Sequence, residues 1–395
     1  MVKISTKSNI KRILIITVAF FIIVGISAAA SNTTNSSEIS PSNNSQTKAD
    51  EKTGDNDKVS PKPVSSTEIC LPSKVYAVVG KEVNIYFENV LNDKAEKYDF
   101  TVNCSIGKHM NDRWTCKPTK AGTYPLSIDV YEQNTLICSA STNVVVSEVN
   151  SDGSNKTFLA IGDSTTSGGI YTGEILKMAK SDKVSIALTG SKGEGSNKYE
   201  GISGWTVAYF YESSKSPFVF NGAFDFGKYL STNKLHDPGF VLINLGINDV
   251  LGFNNDSDLN KEIPSILEKL NSMIENIKTY NTGIRIGIAV TIPPSKDQDA
   301  FGESYKCEIT QWRYKRNNFI WNKALINAFQ GKEAQGIDLV PINVNLDTVH
   351  NMQTTEEAIN SRNPNLAEHQ SNGVHPGFKG YYQIADEIYY WLRSH

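Results

Sequence analysis

The stretch Thr157-Phe158-Leu159-Ala160-Ile161-Gly162-Asp163-Ser164-Thr165 decides how most of this chain folds. Its apolar half fits a short buried strand, and Gly-Asp-Ser breaks that strand into a turn able to open a helix. The same rhythm continues downstream. Apolar runs at 184–188, 240–245, 284–290 and 337–340 read as further strands. Between them Leu259, Ile263, Ile266, Leu267, Leu270, Met273, Ile274 and Ile277 recur at helical spacing. Tyr381, Ile384, Ala385, Ile388 and Tyr389 repeat that spacing within 380–393. Apolar strands alternating with amphipathic helices predict an α/β domain over 155–395, with a parallel sheet covered on both faces. Ligands bind such sheets beyond the carboxyl ends of the strands, which is where Ser164 falls.

Toward the N-terminus the pattern becomes one of short β runs at 75–79, 83–87, 98–102, 126–130 and 142–146, several separated by Gly80-Lys81, Asn92-Asp93 or Ala121-Gly122. Alternation within the runs predicts a small all-β sandwich over 69–149, immunoglobulin-like in size. Its aromatics Tyr76, Tyr98 and Trp114 fit a core better than a glycan-binding face. Residues 31–68 are rich in Ser, Asn and Thr and have almost no large apolar side chain. Such a segment cannot offset its ordering entropy and reads as a disordered linker. In residues 1–30, Lys3, Lys7, Lys11 and Arg12 precede an apolar run at 13–26 and then Ser27-Ala28-Ala29-Ala30. That is the layout of a signal peptide, and the length also approaches that of a membrane anchor. Either reading puts the remainder outside the cell or on the outer face of its envelope.

Composition adds limits. A hydrophobic content of 39% and a charged content of 21% are ordinary for a globular chain. The net charge of −3, with no basic stripe, gives no reason to expect nucleic acid as a partner. Cys70, Cys104, Cys116 and Cys138 crowd into the sandwich, while Cys307 stands alone. After export the four can pair in three ways, or serve as small buried hydrophobes. No Cys-x-x-Cys and no histidine cluster calls for a metal, and no cofactor is expected.

Three loops carry the chemistry. Ser164 follows the first strand, where a helix amino end offers unpaired N–H groups to a developing oxyanion. Taken alone it also reads as a helix cap. Asn248 lies in Gly246-Ile247-Asn248-Asp249, directly after the strand at 240–245, and supplies an amide donor. His375, in Ser371-Asn372-Gly373-Val374-His375-Pro376-Gly377, precedes the last helix. A nucleophile, a donor and a base on strand-end loops form the arrangement that acyl transfer requires.

In order and spacing these blocks resemble those of the SGNH/GDSL hydrolases over about 157–395. The resemblance implies a flavodoxin-like, three-layer αβα fold and a serine esterase with Ser164 as nucleophile and His375 as base. It also implies an oxyanion hole built from the N–H groups of Ser164 and Gly204 and the amide of Asn248. Gly204 is chosen within Glu200-Gly201-Ile202-Ser203-Gly204-Trp205-Thr206, with Gly201 as runner-up. The family usually places Asp three residues before the histidine, and this chain has Asn372 there. Asn372 reads as a weak orienter of His375; a backbone carbonyl or a distant carboxylate are the other readings. Asp347-Thr348-Val349-His350 has the same spacing without the Gly-Val-His-Pro context. It reads as a decoy, with Asp347 and Trp205 kept as substrate-site candidates. The preceding sandwich is similar to modules on secreted bacterial esterases. The expected substrate is an ester, by resemblance and export an O-acetylated glycan, with Trp205, Tyr209 and Trp312 either stacking on sugar rings or packing. A lipid or short-chain acyl ester is the nearest alternative. A surface glycan-binding protein with a degenerate hydrolase domain is the alternative from another class.

Overall fold

A computed structural model of the chain describes residues 67–149, 155–305 and 308–395. The expected signal or anchor at 1–30, nearly all of the linker at 31–68, and Cys307 lie outside the described residues.

The larger sheet is parallel throughout. Its strand order is Glu200–Gly201, Asn155–Gly162, Phe240–Asn244, Arg285–Ala289 and Ile337–Val340, and Ser185–Thr189 also pairs with Asn155–Gly162. The central strands are buried almost end to end, in keeping with their largely apolar content. The helix Asp256–Tyr280 starts on Asn255, whose side chain accepts the Asp258 N–H, and it buries Leu259, Ile263, Ile266, Leu270, Met273, Ile274 and Ile277. The last helix, Phe378–Arg393, buries the aromatic run Tyr389, Tyr390 and Trp391. The domain over 155–395 is therefore the expected α/β fold.

The strands before it form separate sheets. Lys74–Val78, Thr135–Ser147, Gly122–Glu132 and Asp99–Cys104 make a four-stranded sheet, with the first pair parallel and the others antiparallel. Val83–Tyr86, Arg113–Cys116 and Lys108–His109 make an antiparallel three-stranded one. Tyr76 and Trp114 are buried and Tyr98 is half-buried. Cys70, Cys104, Cys116 and Cys138 are free thiols, and burial pushes the Cys70 thiol up to about 12.

Sandwich and α/β sheet pack into one compact unit. Lys315, almost fully buried on the helix Gln311–Phe329, pairs with Glu88 and donates to the Asp93 carbonyl at 2.6 Å. Asn89 Nδ2 donates to the carbonyls of Asn343 and Leu346 at 2.8 and 2.7 Å. The Asn84 N–H and Nδ2 both donate to Asn345 Oδ1, at 2.9 and 3.0 Å. A hairpin that the sequence did not announce, Thr354–Asn360 with Asn363–Gln370, stands between the last sheet strand and the last helix.

Glu387 lies fully buried in that last helix, and among the described residues neither carboxylate oxygen has a hydrogen-bond partner. Burial, reinforced by Asp386, holds its carboxyl well above the usual range. The folded state thus keeps a proton that the unfolded chain releases above about 4.5. The group costs more stability as pH rises from there. Glu387→Gln is expected to gain thermal stability relative to the parent as pH goes from about 4 to about 8. A difference that stays flat across that range, read by calorimetry, counts against a protonated Glu387.

Candidate active site

The turn after Asn155–Gly162 is set by a lack of space. A Cβ on Gly162 would sit 2.1 Å from Thr166 Oγ1 and 2.9 Å from the Asn244 carbonyl, so only glycine fits. Asp163 then caps the short helix Ser164–Ser167, its Oδ1 accepting from the Thr165 N–H (2.9 Å) and Oγ1 (2.8 Å). Its other oxygen is buried without a partner, and burial pushes the carboxyl up to about 6. Ser164 emerges half-buried at the helix amino end, where orphan N–H groups and the helix dipole favour negative charge.

The His375 imidazole meets it, with Nε2 2.8 Å from Ser164 Oγ. Asn372 Oδ1 accepts the N–H groups of Val374 (3.0 Å) and His375 (2.8 Å), so the amide oxygen faces the turn. The same oxygen stands 3.3 Å from His375 Nδ1. That nitrogen must therefore carry the proton, leaving the Nε2 lone pair for the serine hydroxyl. Of the three readings of the third partner, Asn372 is the one whose side chain stands against Nδ1 among the described residues. The loop is pressed into place from behind: a Cβ on Gly373 would meet the Phe301 ring at 2.7 Å, and the Ser295 N–H donates to the Gly373 carbonyl at 3.0 Å.

Asn248 sits in the short helix Ile247–Val250, beyond the strand Phe240–Asn244 that pairs with Asn155–Gly162 in register Asn244 to Gly162. Its Nδ2 donates to the Trp205 carbonyl at 3.0 Å, which spends one amide hydrogen and ties its loop to that of Gly204. Asp249 braces the same junction by accepting the Val207 N–H at 3.0 and 3.3 Å, and burial pushes its carboxyl up to about 7. Gly204 has φ +76° with open space around a notional Cβ, whereas Gly201 is wedged against Ser167, where a Cβ would meet the backbone nitrogen at 2.5 Å. Gly201 is thus a packing glycine, and Gly204 is the one on an open turn. Trp205 is half-buried, 5.8 Å from the Tyr209 ring; Tyr209 and Trp312 are exposed.

Asp347 is not a partner of His375. Its Oδ1 accepts the N–H groups of Val349 and His350, and its Oδ2 stands 3.0 Å from His350 Nδ1. Sequence reasoning did not find Gln370, which is buried and donates to the Thr348 and Val349 carbonyls while accepting the Asp297 N–H. No motif marks such a clamp, because each of its bonds is to backbone. Nor did that reasoning find a role for Asp163 and Asp249, although both stand inside the quoted blocks.

Burial disfavours the imidazolium and lowers the His375 pKa from its ordinary 6.5. Asn372→Asp puts a carboxylate on Nδ1, favours the charged ring and is expected to move that titration upward, as followed by NMR of the histidine side chains. An unmoved or lowered His375 titration means that Asn372 is not its partner.

A model of the family described as GDSL-like lipase/acylhydrolase matches residues 158–388. The fold search finds a carbohydrate acetylesterase family member from Sinorhizobium meliloti, 16% identical, with TM-score 0.34, covering 60% of this chain and 97% of that one. It also finds a protein assigned as an acylhydrolase from Bacteroides fragilis, 18% identical, with TM-score 0.33, covering 60% and 87%. One assigned as an arylesterase from Agrobacterium tumefaciens is 15% identical, with TM-score 0.35, covering 60% and 98%. A search of curated proteins gives no match. The family model spans more than half of the sequence and includes all the residues gathered here, so this chain belongs to the GDSL-like lipase/acylhydrolase family and is a serine hydrolase acting on esters.

Proposed function

We propose that this chain is an extracellular esterase that removes O-acetyl groups from a glycan, with Ser164 as nucleophile and His375 as base. The observation that carries the catalytic assignment is the 2.8 Å contact between His375 Nε2 and Ser164 Oγ, with Asn372 setting the tautomer. Ser164 Oγ attacks the ester carbonyl and its proton passes to Nε2. The carbonyl electron pair moves onto oxygen, where the N–H groups of Ser164 and Gly204 and the second amide hydrogen of Asn248 receive it. The intermediate collapses, the sugar alkoxide leaves, and it takes the proton from His375. Water then repeats the sequence on the acyl-serine and releases acetate. Asn372 orients the imidazolium without a charge to offset it, so the ring relies on position alone.

Two features support an extracellular glycan esterase. Trp205 and Tyr209 lie together beside the loop of Gly204, and Tyr209 and Trp312 offer exposed rings of the kind that stack on sugars. The N-terminal segment reads as an export signal or anchor and supports action at the cell envelope or beyond it.

Ser164→Ala and His375→Ala are each expected to cut kcat on p-nitrophenyl acetate by roughly 10³-fold or more. Asn248→Ala is expected to cost about 10²- to 10³-fold with the fold retained. The parent enzyme should release acetate from an O-acetylated polysaccharide and prefer acetate to octanoate esters. Full activity in Ser164→Ala sinks the nucleophile, and a preference for octanoate returns the lipid reading.

A further inference from the structure

Asp347-Thr348-Val349-His350 builds the same turn as Asn372-Gly373-Val374-His375. In each, one side-chain oxygen accepts the N–H groups two and three residues on and the acidic or amide group faces the histidine Nδ1. The two turns are fastened side by side. The Gly377 N–H donates to the Asn351 carbonyl at 2.9 Å, and Met352 bridges to Pro376. Gln370, two residues before Asn372, holds the carbonyls of Thr348 and Val349 at 2.7 and 2.9 Å. At about 3.8 Å per residue, those links keep His350 within roughly 16 Å of His375.

The outcome differs between the two. His375 is half-buried on Ser164, whereas the His350 side chain is 75% exposed over an Asp347 that is 14% exposed. With Nδ1–H given to Asp347, the His350 Nε2 lone pair faces outward, and among the described residues no protein group meets it. The turn is braced from both sides. Gln383 Oε1 accepts the Asp347 N–H and Asn351 Nδ2, at 2.9 and 2.8 Å. From the sandwich, the Tyr86 hydroxyl donates to Asp347 Oδ2 at 3.4 Å, and the Arg113 guanidinium lies over the Tyr86 ring, 5.2 Å from its centre. With Asp347 braced in this way and the imidazole paired to it, His350 would lose little side-chain freedom on meeting a group outside the protein. Among the described residues no nucleophile stands before it, so it is not read as a second catalytic base.

We propose that His350 is a specificity-determining residue, whose Nε2 accepts a hydroxyl of the leaving-group sugar at the rim of the Ser164 cleft, with Asp347 and the sandwich's Tyr86 as its positioning residues. This rests on the glycan reading above. A sugar offers further hydroxyls at several bond lengths from the scissile ester, and the nitrophenyl group of p-nitrophenyl acetate offers none.

The test compares two esters of one acid, a mono-O-acetylated disaccharide and p-nitrophenyl acetate, as a ratio of kcat/KM. His350→Ala is expected to lower the sugar-to-nitrophenyl ratio about ten-fold, mainly through KM for the sugar ester. His350→Gln, which keeps an acceptor, should recover part of the loss, and Tyr86→Phe should lower the ratio by less than His350→Ala. An unchanged thermal midpoint in His350→Ala confirms that the effect is local. An unchanged ratio, or an equal fall on both esters, overturns the role of His350 while the glycan reading stands. A parent enzyme that releases no acetate from the sugar ester overturns the glycan reading and takes this one with it.

Discussion

The structure depends on how closely two parallel strands approach at their carboxyl ends. Gly162 faces Asn244 with no room for a Cβ, and Asn244 Nδ2 in turn donates to Thr165 Oγ1 at 2.9 Å. That knot brings the loops of Ser164 and Asn248 to one level without either having to find the other. An added methyl group there would be overpacking, typically worth about 1–3 kcal/mol, and it would also separate the two loops. Asp163 shows the cost of the arrangement. Its carboxylate is fully buried with one oxygen unpaired, an expense accepted for the shape of the turn.

The second constraint is the seam between the sandwich and the α/β sheet. Burial lowers the Lys315 pKa, against the pull of Glu88, so the ammonium there depends on its partner. Breaking a buried pair from one side commonly costs about 3–5 kcal/mol, because it leaves an uncompensated charge. The side-chain amides of Asn84, Asn89 and Asn345 extend the seam to the segment that carries Asp347. The sandwich is thus joined to the α/β sheet by a polar seam, where a tethered module would share few polar contacts.

Much of the fold was legible because its strands are buried almost throughout, so Val241, Leu242 and Ile243 run together and Ile286, Gly287, Ile288 and Ala289 form a mostly apolar run. The helix Gln311–Phe329 was not, since its buried face includes Gln311, Lys315, Asn317, Asn318 and Asn322. Those side chains serve backbone and side-chain groups at Thr291, Ile292, Val250 and Phe253, which no apolar periodicity can reveal. The strands Lys108–His109 and Arg113–Cys116 were too short and polar to register. At the site, the serine and the histidine stood out by their blocks, and the Gly-Val-His-Pro context separated the two Asx-x-x-His turns in the sequence. Locally the turns are built alike, and the tertiary contact at Ser164 belongs to His375.

The hairpin Thr354–Asn360 and Asn363–Gln370 is exposed along most of both strands, forms a two-stranded sheet of its own, and leaves two unpaired edges in solvent. Such edges invite a neighbouring chain to add a strand. Pro364 removes a donor from one edge, and Glu356, Glu357 and Glu368 line the strands with negative charge. Two copies approaching edge to edge meet a missing hydrogen bond and mutual repulsion. The hairpin can therefore stay exposed beside the loop of His375 without inviting a second copy to add a strand.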